Sequence, residues 1–253
     1  MPRLQLPTVT LCAVTSVNIA ATVEALRASA DQIEFAECLL LTDSVLATPD
    51  PIRRVAIPQL ASAADYSDFL LKRLVEHVRT PHCLIVQWDG FVIDAGQWQN
   101  QFLDFDYIGA PWPQFRDAHD VGNGGFSLRS RRLMEACTSA DFVASHPEDV
   151  AICRINRPML ESEHQIRFAD SSTAKAFAFE RADPHESFGF HGAFNLIPTV
   201  GADRFWKIYS SLDDRTTIFL DLVSIARQLG SGKAAAKRRF RLIADYLRAR
   251  CGF

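Results

Sequence analysis

Residues 82–90 read His82-Cys83-Leu84-Ile85-Val86-Gln87-Trp88-Asp89-Gly90, a short apolar run that ends in polar residues and a glycine. A continuous apolar run of this length is typical of a strand that is buried on both faces. In open α/β sheets, ligands bind in the crevice beyond the carboxyl ends of such strands. Since strand side chains alternate between faces, we predict that Gln87 and Asp89 share one face and contact a ligand there.

The chain before this stretch alternates between strand-like and helix-like patterns. Strands are predicted over 8–14, 35–41 and 54–58, and helices over 19–30 and 70–78. Asn18 stands where the first of these helices would have its N-cap. Alternation of this kind implies parallel strand pairing with right-handed crossovers. We therefore predict an α/β fold with an open, mostly parallel Rossmann-type sheet that is flanked by helices.

The pattern is less regular after Gly90. Strand-like segments are predicted over 124–129 and 175–179, and helices over 130–137, 147–160, 202–210 and 214–229. We predict a single domain over 1–230, with a nucleotide-binding half over about 1–112 and a catalytic half over about 113–200. Residues 231–253 are predicted to form a separate, basic C-terminal helix.

The composition is that of an ordinary globular protein, and the net charge of −3 argues against nucleic acid as the main partner. The sequence contains no continuous apolar run of the length that a transmembrane helix needs. Its first residues lack the basic and apolar regions of a signal peptide. We therefore expect a cytoplasmic protein.

The charge is distributed unevenly along the chain. Residues 231–253 contain seven Lys and Arg against one Asp, a net charge of +6, so that residues 1–230 carry −9. An acidic body that binds a diphosphate would be helped by a bound cation. The basic helix also has apolar residues close to one face, namely Phe240, Leu242, Ile243, Tyr246 and Leu247. This face predicts packing against the body or, alternatively, peripheral contact with an anionic membrane surface.

Two further features favour a ligand site. Asp89 is either the cap of a turn or an oxygen ligand for Mn²⁺ or Mg²⁺. The glycine-rich stretch Gly122-Asn123-Gly124-Gly125 forms either a tight turn or a surface where the backbone approaches a sugar or an acceptor. It lacks the lysine and the spacing of a phosphate-binding loop.

Two downstream motifs offer chemistry to such a site. Glu148-Asp149 lies at a predicted helix start, where acids stabilise the helix dipole, and either residue could alternatively be a general base. His191 lies in a glycine-bracketed aromatic loop, 189–192. It is either a structural histidine or a neutral imidazole ligand for the same cation.

These motifs, taken in order, resemble a bacterial and fungal family of domains of unknown function that is grouped with the GT-A-fold glycosyltransferases. The resemblance rests on Gln87-Trp88-Asp89-Gly90-Phe91, Asp106-Tyr107-Ile108-Gly109-Ala110-Pro111-Trp112 and Gly122-Asn123-Gly124-Gly125-Phe126-Ser127-Leu128-Arg129-Ser130. It covers roughly residues 8–194. It implies a GT-A-like sheet that binds a nucleotide-sugar, often a UDP-sugar, at the ends of its first strands.

The resemblance also implies roles for individual residues. Asp89 is similar to the second Asp of an Asp-x-Asp metal motif, and His191 to a late metal ligand. Asp149, with Glu148 beside it, is similar to the base of inverting enzymes. Thr15, Ser16 and Asp43 occupy strand ends where such folds hold the base and ribose of the donor, and Gln87 and Gly124-Gly125 would contact the donor as well. Gln87 departs from the family pattern because it stands where the first Asp of the motif is usual.

The leading hypothesis is an inverting, divalent-metal-assisted glycosyltransferase of polysaccharide biosynthesis. It would transfer a sugar from a UDP-sugar to a hydroxyl of a glycan, glycolipid or other glycoconjugate. The altered Asp-x-Asp motif leaves a second hypothesis open, a non-catalytic protein that binds nucleotide-sugars. A metal-dependent nucleotidyltransferase or phosphodiesterase ranks lowest, because it needs more carboxylates around the cation than Asp89 supplies.

Overall fold

The computed structural model describes residues 3–251. The chain divides into two compact units, Met1–His191 and Gly192–Phe253. The predicted single domain over 1–230, with its two halves and a separate helix over 231–253, stays a prediction. Within the described residues, no helix is both long enough and apolar enough to cross a membrane.

The first unit contains a six-stranded sheet with helices on both of its faces. Its strands are β1 (Leu4–Val14), β2 (Ile33–Thr42), β3 (Ile52–Ala56), β4 (His82–Ile85), β5 (Tyr107–Ile108) and β6 (Ser127–Ser130). Its main helices are α1 (Ile19–Ala30), α2 (Ala63–Lys72), α3 (Arg131–Ala136), α4 (Glu148–Val150), α5 (Arg157–Ser162) and α6 (Ser171–Phe177). Short 3₁₀ turns lie at Leu74–Glu76, Ala95–Gln97 and Asn100–Asp104, and a π-helical turn lies at Ala151–Ile155.

The strand order is β3-β2-β1-β4-β6-β5. The pairs β2–β3, β1–β2 and β1–β4 are parallel, and β6 runs antiparallel to both β4 and β5. An additional small parallel pair joins β7 (Ala178–Phe179) to β8 (Gly189–Phe190). The predicted fold class, an open, mostly parallel α/β sheet flanked by helices, is confirmed.

The central strands are continuous apolar runs because both of their faces are covered. In β1, Leu11 and Ala13 belong to the core cluster that contains Leu26 of α1, whereas Cys12 belongs to the cluster that contains Phe69 of α2. Alternate residues of one strand thus fill two separate cores. This arrangement explains why the runs around residues 8–14 and 82–86 show no polar alternation.

Asn18 lies at the N-cap of α1, as predicted, although its backbone is left-handed (φ 54°) and its side chain makes no capping hydrogen bond. Three local predictions need correction. The predicted helix over 70–78 is wrong, because α2 ends at Lys72 and a separate 3₁₀ turn follows at Leu74–Glu76. The predicted strand over 175–179 is helical as far as Phe177, and only Ala178–Phe179 pairs as a strand. The predicted helix over 147–160 is interrupted by the π-helical turn at Ala151–Ile155.

The parallel strands end together at one edge of the sheet. Val14 pairs with Leu41, and Cys12 pairs with Ile85, so β1, β2 and β4 have their carboxyl ends side by side. The residues that follow these strands are therefore brought to one edge although they are far apart in sequence. This is the edge at which the sequence predicts a ligand.

The second unit is helical over its described residues. Its helices are α7 (Ala193–Val200), α8 (Ala202–Ser211), α9 (Thr216–Leu220), α10 (Leu222–Gln228) and α11 (Lys233–Cys251). The prediction of a helix over 202–210 is confirmed by α8. The segment predicted as one helix over 214–229 is divided at Asp221, and α7 was not predicted.

Candidate functional site

The chain reverses direction immediately after β4. The backbone amide of Gln87 donates to the carbonyl of Gly90 at 3.0 Å, and the amide of Gly90 donates back to the carbonyl of Gln87 at 3.0 Å. A tight turn, and not a continued strand, therefore presents Gln87 and Asp89. Asp89 is buried, with 2% of its surface exposed.

His191, the last residue of the first unit, contacts this turn. Its backbone amide donates to the carbonyl of Phe179 at 3.0 Å, which extends the β7–β8 pairing by one residue. Its Nε2 lies 3.6 Å from Oδ1 of Asp89 and 3.2 Å from Oε1 of Gln87. The structure thus brings together two predicted metal ligands and the predicted donor-binding residue Gln87.

Glu180 contacts the other ring nitrogen of His191. Its Oε1 lies 3.1 Å from Nδ1, and both side chains are largely buried. Phe179 pairs with Phe190, so Glu180 and His191 follow β7 and β8 at matching positions. Sequence reasoning missed Glu180. The only available signal was the similarity of the two short segments Ala178-Phe179-Glu180 and Gly189-Phe190-His191.

The electrostatics of the cluster favour a positive charge on His191. Burial disfavours the imidazolium, but the carboxylates of Asp89 and Glu180 outweigh burial and raise the pKa of His191 to about 9. The negative charge of Asp149 raises the pKa of His191 further. The carboxylates around this imidazole therefore form a negative environment that holds a proton or another cation.

Glycines allow the close packing around His191. A Cβ atom on Gly125 would lie 2.0 Å from Nε2 of His191, and one on Gly90 would lie 2.7 Å from its Cδ2. Both separations are far below van der Waals contact. The glycines of the two motifs are thus required by contacts within the protein, and the prediction that Gly124 and Gly125 line a donor sugar stays a prediction.

Asp149 lies beside the glycine-rich stretch. Its Oδ2 accepts a hydrogen bond from the backbone amide of Gly124 at 3.1 Å, and its Oδ1 accepts one from the amide of Val150 at 2.8 Å. The carboxyl group is half-buried. Burial and the neighbouring charge of Glu148 raise its pKa, which makes the carboxylate a stronger base.

Glu148 points into the protein and not toward Asp89. It forms a buried ion pair with Arg129, whose Nη2 lies 3.0 Å from Oε1, and Oγ of Ser67 lies 3.4 Å from Oε2. Arg129 also donates to Oγ of Ser127 at 3.1 Å and to the carbonyl of Gly124 at 3.4 Å. Through Arg129, Glu148 therefore helps to position the backbone of Gly124, whose amide also donates to Asp149.

Thr15, Ser16 and Asp43 follow β1 and β2 at the same edge of the sheet. The hydroxyl of Thr15 is engaged with the carbonyl of Val17, and Oγ of Ser16 accepts from the amide of Leu60 at 2.9 Å. Oδ1 of Asp43 is buried and has no hydrogen-bond partner within residues 3–251. Asp43 is therefore the one of these three whose side chain has an unsatisfied acceptor for a ligand.

A divalent cation would fit between Asp89 and His191. Oxygen and nitrogen ligands lie about 2.0–2.2 Å from Mg²⁺ or Mn²⁺, so two ligand atoms up to about 4 Å apart can share one ion. The 3.6 Å separation satisfies this condition. Glu180 supplies the carboxylate that commonly orients a metal-binding histidine. Residues 3–251 contain no group of three or more His, Cys, Asp or Glu that could hold a metal, so the remaining ligands would have to come from substrate or water.

Comparison with known proteins places the chain in a family. Residues 51–191, which contain the turn, the glycine-rich stretch, Asp149 and His191, match a family described as a protein of unknown function, DUF5672. The chain is a member of DUF5672. No curated protein matches this DUF5672 chain.

Solved structures with partial similarity to the DUF5672 chain include a glycosyltransferase. A mannosyltransferase from Pyrobaculum calidifontis, in complex with GDP-mannose and Mn²⁺, is 10% identical over 98% of this chain and 84% of its own, with a TM-score of 0.43. A second structure, A197 from STIV, is 13% identical over 64% of this chain and 82% of its own, with a TM-score of 0.36.

Proposed function

We propose that this DUF5672 chain is a glycosyltransferase that transfers a sugar, with inversion, from a UDP-sugar to a hydroxyl of a glycan or glycolipid. One observation carries the proposal. Asp89, His191 and Glu180 form a buried cluster at the carboxyl edge of a parallel sheet, and the charge of Asp149 reaches the same imidazole. A cation-binding pair beside a base suits the transfer of a group from a diphosphate to a hydroxyl.

Asp89 and His191 would hold the cation, Mn²⁺ or Mg²⁺. When bound, the cation neutralises the charge that develops on the departing diphosphate. Glu180 keeps the imidazole oriented through Nδ1, so that Nε2 faces Asp89. Gln87 brings a neutral amide where the family pattern of the resemblance has an acid, and its Nε2 donates to the hydroxyl of Tyr66 at 2.8 Å.

Asp149 would take the proton of the acceptor hydroxyl. The acceptor oxygen forms a bond to the anomeric carbon as the bond from that carbon to the diphosphate breaks, and the bonding electron pair leaves with the nucleotide. Backbone amides of Gly124 and Val150 hold the carboxylate in one orientation. Glu148 acts through Arg129 and is proposed as a positioning residue.

The donor would lie along the sheet edge. Thr15, Ser16 and Asp43 are proposed to contact its base and ribose, and Gln87 its ribose, because they follow neighbouring strand ends. Gly124 and Gly125 are proposed to line the sugar. A role in polysaccharide biosynthesis and a cytoplasmic location stay predictions.

The first test measures nucleotide binding with and without metal. We expect UDP with Mn²⁺ to raise the melting temperature of the protein, because a ligand that binds only the folded state stabilises it by mass action. EDTA should remove this shift, and Asp89→Ala should weaken UDP binding by about tenfold or more in calorimetry.

The matched control is Asp68→Ala, which removes an exposed carboxylate on α2. It should bind UDP as the wild type does. If UDP binds equally well to the Asp89→Ala protein and in EDTA, the site does not use a metal held by Asp89.

A non-catalytic nucleotide-sugar-binding protein is the second candidate. Gln87 favours it, because the loss of one carboxylate weakens the hold on a cation. Incubation with UDP-sugars distinguishes the two candidates: an enzyme releases UDP by slow hydrolysis, whereas a binding protein does not. A nucleotidyltransferase or phosphodiesterase ranks lowest, because it needs more carboxylates around the cation than Asp89 supplies.

A further inference from the structure

The last helix of the second unit, α11, has two separate apolar faces. Ala235 and Leu242 are buried. Phe240, Ile243 and Leu247 are 77%, 46% and 53% exposed. Positions three, four and seven residues apart lie on one side of an α-helix, so these three residues form a continuous exposed stripe. Folding thus buries the first apolar face, whereas the second apolar face stays exposed to water.

The exposed stripe continues onto the neighbouring helices of the same unit. A groove of about 530 Å³ lies between α10 and α11 and is lined by Leu222, Val223, Ala226, Arg227, Arg239 and Ile243. Val223 is 60% exposed, and Leu220 before it is 78% exposed. We call the exposed apolar residues Leu220, Val223, Phe240, Ile243 and Leu247 the docking face. These five are a majority of the nine large apolar residues that are exposed within residues 3–251.

Basic side chains border the docking face. At 100° per residue, Arg239 and Arg250 fall on one side of the α11 stripe and Lys233 and Lys237 on the other. Arg239 is engaged within the unit, because its guanidinium donates to the carbonyls of Ala226 and Gly230. The single acid of the helix, Asp245, lies away from the stripe. It accepts from the hydroxyl of Tyr209 at 2.8 Å and pairs with Arg248 at 3.2 Å. The border of the stripe on α11 is therefore positive, and Asp221, between Leu220 and Val223, is an acid beside the rest of the docking face.

Charge complementarity indicates what covers this face. Residues 192–253 contain 11 Lys and Arg against five Asp, a net charge of +6, whereas residues 1–191 carry −9. The docking faces of two copies, each bordered by positive charge, would repel each other. A nucleic acid would neutralise the charge but leave the apolar stripe in water. A lipid surface with anionic headgroups fits both features, because its acyl chains can take up the apolar stripe and its headgroups can pair with the basic border.

We propose that the docking face lies on an anionic bilayer surface. Phe240, Ile243 and Leu247 enter the boundary between headgroups and acyl chains, while the exposed Lys233, Lys237 and Arg250 contact lipid phosphates. Binding of this kind is peripheral and reversible, and it weakens as salt screens the charges. The proposal does not rest on the proposed function, because it involves only the second unit and needs no nucleotide.

Vesicle co-sedimentation of the full chain tests the proposal. We expect the protein to sediment with phosphatidylcholine vesicles that contain phosphatidylglycerol, and to stay in solution with phosphatidylcholine alone. Phe240→Ser with Leu247→Ser should weaken binding about tenfold or more, since both side chains lose the apolar surface that enters the bilayer. Lys237→Glu with Arg250→Glu should weaken it by a similar factor.

Matched controls separate the docking face from general changes in surface chemistry. Val45→Ser removes an apolar side chain that is 90% exposed on the first unit, and Lys72→Glu with Lys175→Glu reverses two exposed charges there. Both controls should bind as the wild type does, and circular dichroism should find all variants folded. Equal binding to neutral and anionic vesicles, or unchanged binding of either docking-face variant, would overturn the proposal. The proposal would also be overturned if the wild type forms a dimer and the variant with Phe240→Ser and Leu247→Ser loses this dimer but keeps its vesicle binding.

Discussion

At the scale of single residues, neighbours decide what a side chain can do. Glu148 and Asp149 are adjacent in sequence and equally acidic, yet Glu148 is buried against Arg129 while Asp149 is half-exposed and held by two backbone amides. The sequence named both as catalytic candidates. Only the structure separates a positioning residue from a candidate base.

Replacement of Asp149 by Asn tests its role as the base. The amide keeps the shape of the side chain but cannot take a proton, so transfer should fall by about 10²–10⁴-fold while UDP binding is retained. Burial and Glu148 raise the pKa of Asp149. Wild-type transfer should therefore decline as the pH falls through this raised pKa, because only the ionised carboxylate is a base. Radiolabelled sugar transfer measures both the loss of transfer rate and its dependence on pH.

Asp141→Asn is the control for this change, since Asp141 is an exposed acid outside the site. It should transfer sugar at the wild-type rate. Full turnover by a folded Asp149→Asn protein would remove Asp149 from the proposed mechanism.

Glu180 offers a second test at this scale. Glu180→Gln keeps a hydrogen-bond acceptor for Nδ1 of His191 but removes the charge that supports the imidazole. We expect the affinity for Mn²⁺ to fall about 10–100-fold. The melting temperature of the metal-free protein should also fall, because the largely buried imidazolium loses one of its two carboxylates. Electron paramagnetic resonance of free Mn²⁺ measures the affinity directly. Glu186→Gln, at an exposed acid six residues away, should have no effect on the affinity for Mn²⁺. An unchanged affinity in Glu180→Gln would argue against a role of Glu180 in orienting His191 as a metal ligand.

At the scale of elements, short segments are shaped by what they pack against. The segment 175–179 has an apolar and aromatic composition that favours a strand, but its residues as far as Phe177 complete α6. Phe177 packs against the rings of Phe102 and Phe126 within the core. Tertiary packing thus overrides the local preference.

The link between β6 and α4 can be tested by removing its buried charge. Arg129 is 1% exposed, so Arg129→Met would leave Glu148 buried without its partner and should cost about 3–5 kcal/mol of unfolding free energy. Adding Glu148→Leu should recover most of this loss, because the uncompensated charge is then gone. Urea denaturation measures both values.

An exposed ion pair provides the comparison for this change. Arg27 and Glu24 lie 3.3 Å apart with about half of each side chain in water, and Arg27→Met should cost less than about 1 kcal/mol. An equally small loss in Arg129→Met would mean that the Arg129–Glu148 pair does not stabilise this region.

At the scale of the whole molecule, the chain assembles its candidate site from distant parts. Gln87 and His191 are 104 residues apart in sequence, and their side chains lie 3.2 Å apart. The sheet order places β1 between β2 and β4, which brings Asp43 and Thr15 to the edge where the Asp89 turn begins. The division of charge between residues 1–191 and 192–253 belongs to this scale too, and it is the basis of the proposed membrane contact.

The sequence by itself determined the fold class, the approximate strands of the parallel sheet and the motifs that carry polar side chains to its edge. These features depend on the period and length of apolar runs, which are local properties. Tertiary structure alone decided that Glu180 lies behind His191, that glycines make room for this imidazole, and that Glu148 faces Arg129. Each of these depends on contacts between residues far apart in the chain, and no local pattern encodes such contacts.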